Sequence, residues 1–159
     1  MANLPYQVAA TIVLAYFEHL PQLRAATVMV QREVAERMAA NPGTKAYGAY
    51  TVKLALQAKA TGSFSVARTS FLPPPRVDST VIRLERAAGP GGEPGTQLAT
   101  LIDTAFAMRR KTLVNNLKAV WPAQQVSEAL ADCGLDPAVR AEALTPEDFA
   151  RLLSALHAS

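Results

Sequence analysis

Close to the start of the chain stands Asn3-Leu4-Pro5-Tyr6, four residues that could together manage the exocyclic amine of a base. Pro5 drives Leu4 toward extended backbone, so the Leu4 carbonyl is held in a defined direction. The Asn3 amide oxygen is a second acceptor, and Tyr6 offers a flat ring for stacking. Two acceptors on one amino group draw its lone pair out of conjugation, which makes an amine of the adenine N6 kind nucleophilic. Asn-x-Pro is also an ordinary turn sequence. The tetrapeptide alone fits both readings.

Two further clusters carry chemistry. Phe71 lies in Thr69-Ser70-Phe71-Leu72-Pro73-Pro74-Pro75-Arg76. Its three prolines have no N–H to donate, so the segment is stiff and gives Phe71 a fixed place. That suits a second wall for a stacked base, and equally a structural turn with Phe71 plugging the core. The other cluster is Arg109-Arg110-Lys111 with Asn115 and Lys118. Lys111, Asn115 and Lys118 fall at i, i+4 and i+7, with Arg110 beside them, so on a helix they share one polar face. Such a face suits phosphate contacts; a solvated helix face is the other reading.

These residues need elements to position them. Val8, Ile12, Val13, Tyr16, Phe17 and Leu20 recur at helical spacing up to Pro21. Residues 25–30 form a β-branched apolar run, a short buried strand, and 32–40 and 49–58 read as helices. Alternation over 60–68 (Phe64 and Val66 against Ser63 and Ser65) and over 79–84 predicts an antiparallel hairpin with the Pro-rich segment as its loop. Gly89-Pro90-Gly91-Gly92-Glu93-Pro94-Gly95 lacks dinucleotide spacing, and its prolines remove amide donors, so it reads as a linker. Beyond it, Leu98, Leu101, Ile102, Ala105 and Phe106 give an apolar helix face continued by Leu113 and Leu117. Helices over 124–131 and 146–156 follow, the latter with Thr145 as N-cap and Pro146 at its first position. The pattern is α/β: an open sheet with crossovers that ends in an antiparallel hairpin (1–88), the linker (89–95) and a small all-α domain (96–159).

Charge divides along the same line. Residues 1–118 carry 14 Lys/Arg against 7 Asp/Glu, and residues 119–159 carry 2 against 6. A basic body suggests a polyanionic partner. Cys133 is the single cysteine, so no intrachain disulfide forms and a reducing, cytoplasmic setting is expected. His19 and His157 have no Cys at ligand spacing, and no metal site is expected. The apolar run 8–17 is too short to span a bilayer and lacks the preceding basic residues of a signal peptide. No membrane association is expected.

Four segments in order resemble one family: Asn3–Tyr6, Val30-Gln31-Arg32-Glu33-Val34-Ala35-Glu36-Arg37, Phe71–Ser79 and Arg109–Leu117. The chain is similar to the ribosomal RNA adenine dimethyltransferases, in particular their small-subunit branch, from Asn3 to about Leu156. The fold this implies is the C-terminal part of a Rossmann-like methyltransferase sheet followed by the helical domain. The activity it implies is S-adenosyl-L-methionine-dependent dimethylation of adenine N6 in small-subunit (16S) ribosomal RNA, on an extruded base. By that resemblance Asn3 and the Leu4 carbonyl accept from N6, with Pro5 holding the turn. Tyr6 and Phe71 sandwich the ring, Asn3 also borders the cofactor, and Arg109, Arg110, Lys111 and Lys118 hold RNA backbone.

The family pattern also has a sheet half ahead of the Asn-Leu-Pro-Tyr loop, with a Gly-rich turn and an acidic residue for the cofactor ribose. Here only Met1-Ala2 precede it. The expectation is therefore a C-terminal portion that is inactive alone, binds the cofactor weakly and self-associates through surface left uncovered. Two other functions fit: a large-subunit rRNA adenine methyltransferase of the macrolide-resistance type, and a non-catalytic rRNA-binding assembly module.

Overall fold

A computed structural model describes residues 2–3, 8–88 and 95–158. Leu4, Pro5, Tyr6, the Asn3 side chain and residues 89–94 of the Gly/Pro linker lie outside the described residues. In chain order the elements are β1 (Ala2–Asn3), α1 (Ala9–His19), β2 (Ala25–Gln31), α2 (Arg32–Met38), α3 (Ala49–Ala55), β3 (Ala58–Val66), β4 (Ser79–Arg86), α4 (Thr96–Ala105), α5 (Leu113–Leu117), α6 (Ala123–Asp132) and α7 (Pro146–Ala158). They form two compact units, Met1–Ala40 with Gln57–Glu93, and Asn41–Leu56 with Pro94–Ser159.

The first unit is an α/β sheet of strand order β1-β2-β4-β3. β1 runs parallel to β2, while β4 is antiparallel to both β2 and β3. Strand alternation puts Val28 and Val30 opposite Ile82 and Thr80 on one face, and all four are buried. Ala9, Val13 and Phe17 recur every four residues on α1 and are fully buried. Arg86, the last residue of β4, finishes that helix. Its guanidinium donates to the carbonyls of Phe17 (2.9 Å), Leu20 (2.8 Å) and Leu23 (2.8 Å) and lies 5.4 Å over the Phe17 ring. A cation on the last free carbonyls of a helix is favoured by both hydrogen bonding and the helix dipole. The hairpin predicted from the alternating runs is present, with Val66 paired to Ser79. β3 is its outer strand and carries two devices that discourage further pairing, Lys59 and a bulge between Ala60 and Gly62.

The second unit is helical, and it includes residues the sequence pattern assigned to the sheet domain. Residues 41–56 join it because their apolar side chains meet α4 and α7. Val52 and Leu54 are fully buried, and the Tyr47 hydroxyl donates to the Leu144 carbonyl at 2.7 Å. The Tyr47 ring meets Phe106 edge-on at 6.1 Å, and Phe106 packs on Phe149 at 5.8 Å. Burial, with the charges of Glu147 and Asp148 added, pushes the Tyr47 phenol up to about 12.

A second difference concerns the continuous helix expected from Leu98 through Leu117. The chain leaves α4 at Phe106 and re-enters a helix only at Leu113. Asn116 is the cause: buried, it donates its amide to the carbonyls of Ala105 (2.6 Å) and Met108 (3.1 Å). Those bonds satisfy the end of α4 and fold the next turn back on it.

α7 begins as its Thr-Pro start predicts. The Thr145 hydroxyl accepts from the Asp148 N–H at 3.2 Å, and the Thr145 N–H donates to Asp148 Oδ2 at 2.9 Å, a reciprocal capping box. Burial works against ionisation of Asp148, but bonds from Thr145 and Arg151 outweigh it and hold the carboxyl below its ordinary value. A carboxyl with a lowered folded pKa stabilises above its unfolded pKa and loses that contribution as pH falls through the folded value. Thr145→Ala should therefore cost about 1 kcal/mol in urea unfolding at neutral pH. The stability gap between the unsubstituted chain and Asp148→Asn should close as pH drops below about 4. A gap that stays constant down to pH 3 would show that the Asp148 charge contributes nothing.

Candidate active site

One end of the sheet gathers the chemistry-bearing segments of the first unit. Asn3 pairs with Met29 in parallel register, so β1 ends beside the carboxyl-terminal half of β2. β2 ends at Gln31, paired with Ser79, the first residue of β4. Ser79 is also paired with Val66, the last residue of β3. The end of β1, the β2–α2 junction and the two ends of the 67–78 loop thus lie at one end of the sheet. Two inter-strand spacings, roughly 10 Å, separate the backbones of β1 and β4. Crevices beyond the carboxyl ends of parallel strands are where open α/β sheets place ligands.

Phe71 is half-buried in this loop, just after a single 3-10 turn over Arg68–Ser70. Its backbone is extended, and its N–H donates to the Arg68 carbonyl at 3.3 Å. Beyond it the loop projects outward: Leu72, which precedes a cis bond to Pro73, is 99% exposed. The base of the loop is tied. Asp78 Oδ1 accepts from the Arg68 N–H at 2.9 Å, and the Arg68 guanidinium donates to the Arg76 carbonyl at 3.3 Å. The Asp78 carbonyl accepts from the Arg32 N–H at 3.1 Å, joining the loop to the first residue of α2.

Between loop and helix lies an open cleft of about 600 Å³, lined by Gln31, Arg32, Glu33, Glu36, Arg68, Arg76, Val77 and Asp78. Three arginines meet three carboxylates there. Glu36 is 3.5 Å from Arg32, Glu33 pairs with Arg37 outside the lining at 3.2 Å, and Asp78 is engaged with the loop backbone. As a group these arginines escaped the sequence reading because Arg32 opens α2 while Arg68 and Arg76 sit near the two ends of the 67–78 loop, far away in sequence.

In the second unit the four basic residues expected to act together do not share a helix face. Arg109, Arg110 and Lys111 sit on the exposed turn between α4 and α5, ahead of the N-cap Thr112. Lys118 follows α5 and donates to Asn115 Oδ1 at 2.9 Å. Arg109 donates to the Lys45 carbonyl at 2.9 Å, which gives it a structural duty within the unit. Arg110 and Lys111 point their charge outward beside Met108, itself 56% exposed. Among the described residues no group of three or more His, Cys, Asp or Glu side chains could hold a metal, and no helix is long and apolar enough to cross a membrane.

The family model for ribosomal RNA adenine dimethylase matches residues 1–158. The ribosomal RNA small subunit methyltransferase A of Bifidobacterium longum is 43% identical over 169 residues, covering 98% of this chain and 54% of the relative. That of Kineococcus radiotolerans is 44% identical over 155 residues, covering 96% and 51%. The chain therefore spans about half the length of the curated relatives it matches. Among solved structures, a dimethyladenosine transferase from Plasmodium falciparum superposes with a TM-score of 0.82 at 27% identity, covering 95% of this chain and 63% of the other. The 23S rRNA methyltransferase ErmE superposes at 0.68 with 24% identity, covering 98% and 63%, and shares the fold.

The adjacent arginines of the turn can be separated by experiment. Arg109→Ala should lower stability by about 1 kcal/mol in urea unfolding, through loss of the bond to Lys45. Arg110→Ala should stay within about 0.5 kcal/mol of the unsubstituted chain. Equal midpoints for the two variants would refute a structural duty for Arg109.

Proposed function

Since the chain belongs to the ribosomal RNA adenine dimethylase family, we propose that it supplies the target-base and RNA-holding side of an enzyme that dimethylates adenine N6 in small-subunit ribosomal RNA. The observation that carries this reading is the convergence, at one sheet end, of the strand leading into Asn3-Leu4-Pro5-Tyr6 with the braced loop that bears Phe71. In this reading Asn3 and the Leu4 carbonyl accept from the N6 amine, with Pro5 fixing the direction of that carbonyl. Tyr6 and Phe71 take the two faces of an extruded adenine. A neutral amine needs no strongly shifted base here. What the chain provides is orientation and removal of water around N6. The cleft arginines Arg32, Arg68 and Arg76, together with Arg110, Lys111 and Lys118, are suited to backbone phosphates, and Arg109 supports their turn.

The methyl donor for this family's reaction is S-adenosyl-L-methionine, and the residues present here do not fit it. The glycine run 89–95 does follow a strand and precede a helix, but it lacks dinucleotide spacing and is interrupted by prolines that cannot offer amide donors. In this reading Asn3 is the residue assigned to the border of the cofactor. The poor fit of these glycines to the cofactor favours a second reading, an rRNA-binding module acting without methyl transfer. In both readings the protein works in the cytoplasm on ribosomal RNA.

Two measurements test the proposal. Isothermal calorimetry of the chain with S-adenosylmethionine should show weak or no binding; a sub-micromolar Kd would contradict the assignment of its residues to the target side. Binding of a short single-stranded adenine-containing RNA should weaken in Phe71→Ala by about 5- to 150-fold, the equivalent of roughly 1–3 kcal/mol of stacking. Lys111→Ala should instead reduce the slope of log Kd against log salt by about 1, with little dependence on base sequence. Unchanged RNA affinity in Phe71→Ala would remove the stacking role.

A further inference from the structure

We propose that Asp78 is the positioning residue of the Phe71 wall, a role that rests on the reading of Phe71 as a stacking platform. The loop between Val66 and Ser79 needs such a residue. Its tip cannot hold itself, since Leu72 is almost fully exposed and Pro73, Pro74 and Pro75 have no N–H to donate. What fixes Phe71 is the turn before it, which is closed by the Ser70 N–H on the Ala67 carbonyl at 2.9 Å, braced by the Arg68 guanidinium on the Arg76 carbonyl at 3.3 Å, and joined through the Arg68 backbone N–H to the Asp78 carboxylate. Asp78 Oδ1 accepts from the Arg68 N–H at 2.9 Å, and the Arg68 carbonyl accepts from the Phe71 N–H at 3.3 Å. A single residue, Arg68, therefore relays the position of Asp78 to Phe71.

The other side of Asp78 is anchored to the sheet. Its carbonyl accepts from the Arg32 N–H at 3.1 Å, and Ser79, the next residue, pairs with Gln31 at the end of β2. Asp78 thereby ties the Phe71 turn to β2, the strand with which Asn3 pairs. The hairpin ladder already joins Val66 to Ser79, so Asp78 is not needed to close the loop. Its specific contribution is to the conformation of the first turn. An aspartate is suited to this task because its short side chain reaches a nearby backbone N–H without much loss of rotamer freedom. Asparagine keeps that acceptor oxygen and alanine removes it, so the two variants separate geometry from charge.

The test uses the 159-residue chain with Asp78→Ala, Asp78→Asn, Phe71→Ala and the double variant Phe71→Ala/Asp78→Ala. Amide hydrogen exchange by NMR reads the clamp directly. Asp78→Ala should speed exchange at Arg68 and Phe71 by about tenfold while Val81 and Leu84 in β4 stay unchanged, and Asp78→Asn should retain protection. Unchanged exchange at Arg68 and Phe71 in Asp78→Ala overturns the proposal whatever the RNA result. So does loss of protection throughout β4, which would mark a general structural role. Binding to a short adenine-containing RNA reads the consequence. Asp78→Ala should weaken it by a factor comparable to Phe71→Ala, Asp78→Asn should stay within about twofold, and the double variant should bind no more weakly than Phe71→Ala alone. Additive losses also overturn the proposal. Should Phe71→Ala bind RNA normally, it is the stacking role that fails, and the exchange data alone decide the clamp.

Discussion

The register of β4 is the constraint from which the rest of the first unit follows. It is hydrogen-bonded on both sides, and Ser79 is paired at once with Gln31 and Val66. Since side chains alternate with a period of two, a slip of one residue would turn Thr80, Ile82 and Leu84 away from the face they share with Val28 and Val30. Those side chains are buried, so the register is held by several kilocalories of apolar transfer, at about 1.5–3 kcal/mol for each large side chain. The level at which each loop leaves the sheet is therefore fixed by core packing. At the opposite end of β4, Arg86 is bonded to three carbonyls around the end of α1. One strand thus sets the loop end of the site and the helix beneath it.

Much of this was legible in the sequence wherever structure is local. α1, β2, α2 and the hairpin each follow from periodicity within a window of about ten residues, and the capping of α7 follows from Thr145-Pro146. The misreadings share one property. Between Phe106 and Thr112 there is neither Gly nor Pro, so nothing local announces the break after α4. Its cause is the Asn116 amide reaching back to the Ala105 carbonyl, and Asn116 looks like any other polar helix residue until its burial is known. The same holds for Arg109, whose partner is the carbonyl of Lys45. Residues 41–56 lie between sheet elements in sequence but bury Tyr47, Val52 and Leu54 among helices that come much later. Tertiary partners outweighed sequence neighbours at each of these places.

Charge asymmetry takes on a clearer meaning once the partners are visible. In the acidic stretch from residue 119 onward, Asp148 caps α7 and pairs with Arg151, and Glu128 is bonded to Gln124 at 2.9 Å. Asp148 is thus occupied with intrachain structure. The basic surface is used more sparingly. Arg86 and Arg109 serve the fold, whereas Arg110 and Lys111 stand exposed on a turn whose shape Asn116 dictates. A charge on a braced turn loses less side-chain and backbone entropy on meeting a phosphate than one on a free loop. Net charge alone would have ranked all these residues equally.

The candidate site shows the same division between a rigid frame and a few exposed groups. Phe71 needs an exposed ring face if a base is to stack on it, and exposure normally leaves a loop residue free to move. The chain resolves this conflict by fixing backbone instead of side chain: proline on one side, the Arg68–Ser70 turn and the Asp78 clamp on the other. The geometric tolerance explains why. A stacked ring forfeits about a quarter to a half of its dispersion energy with a gap of 0.5–1 Å, and on the proposed reading an amine meets two acceptors within hydrogen-bond range at the same moment. Where chemistry relies on position more than on a shifted acid or base, precision has to come from the backbone. Two of the three segments at this sheet end are joined by Asp78, whose carbonyl meets Arg32 as its carboxylate meets Arg68.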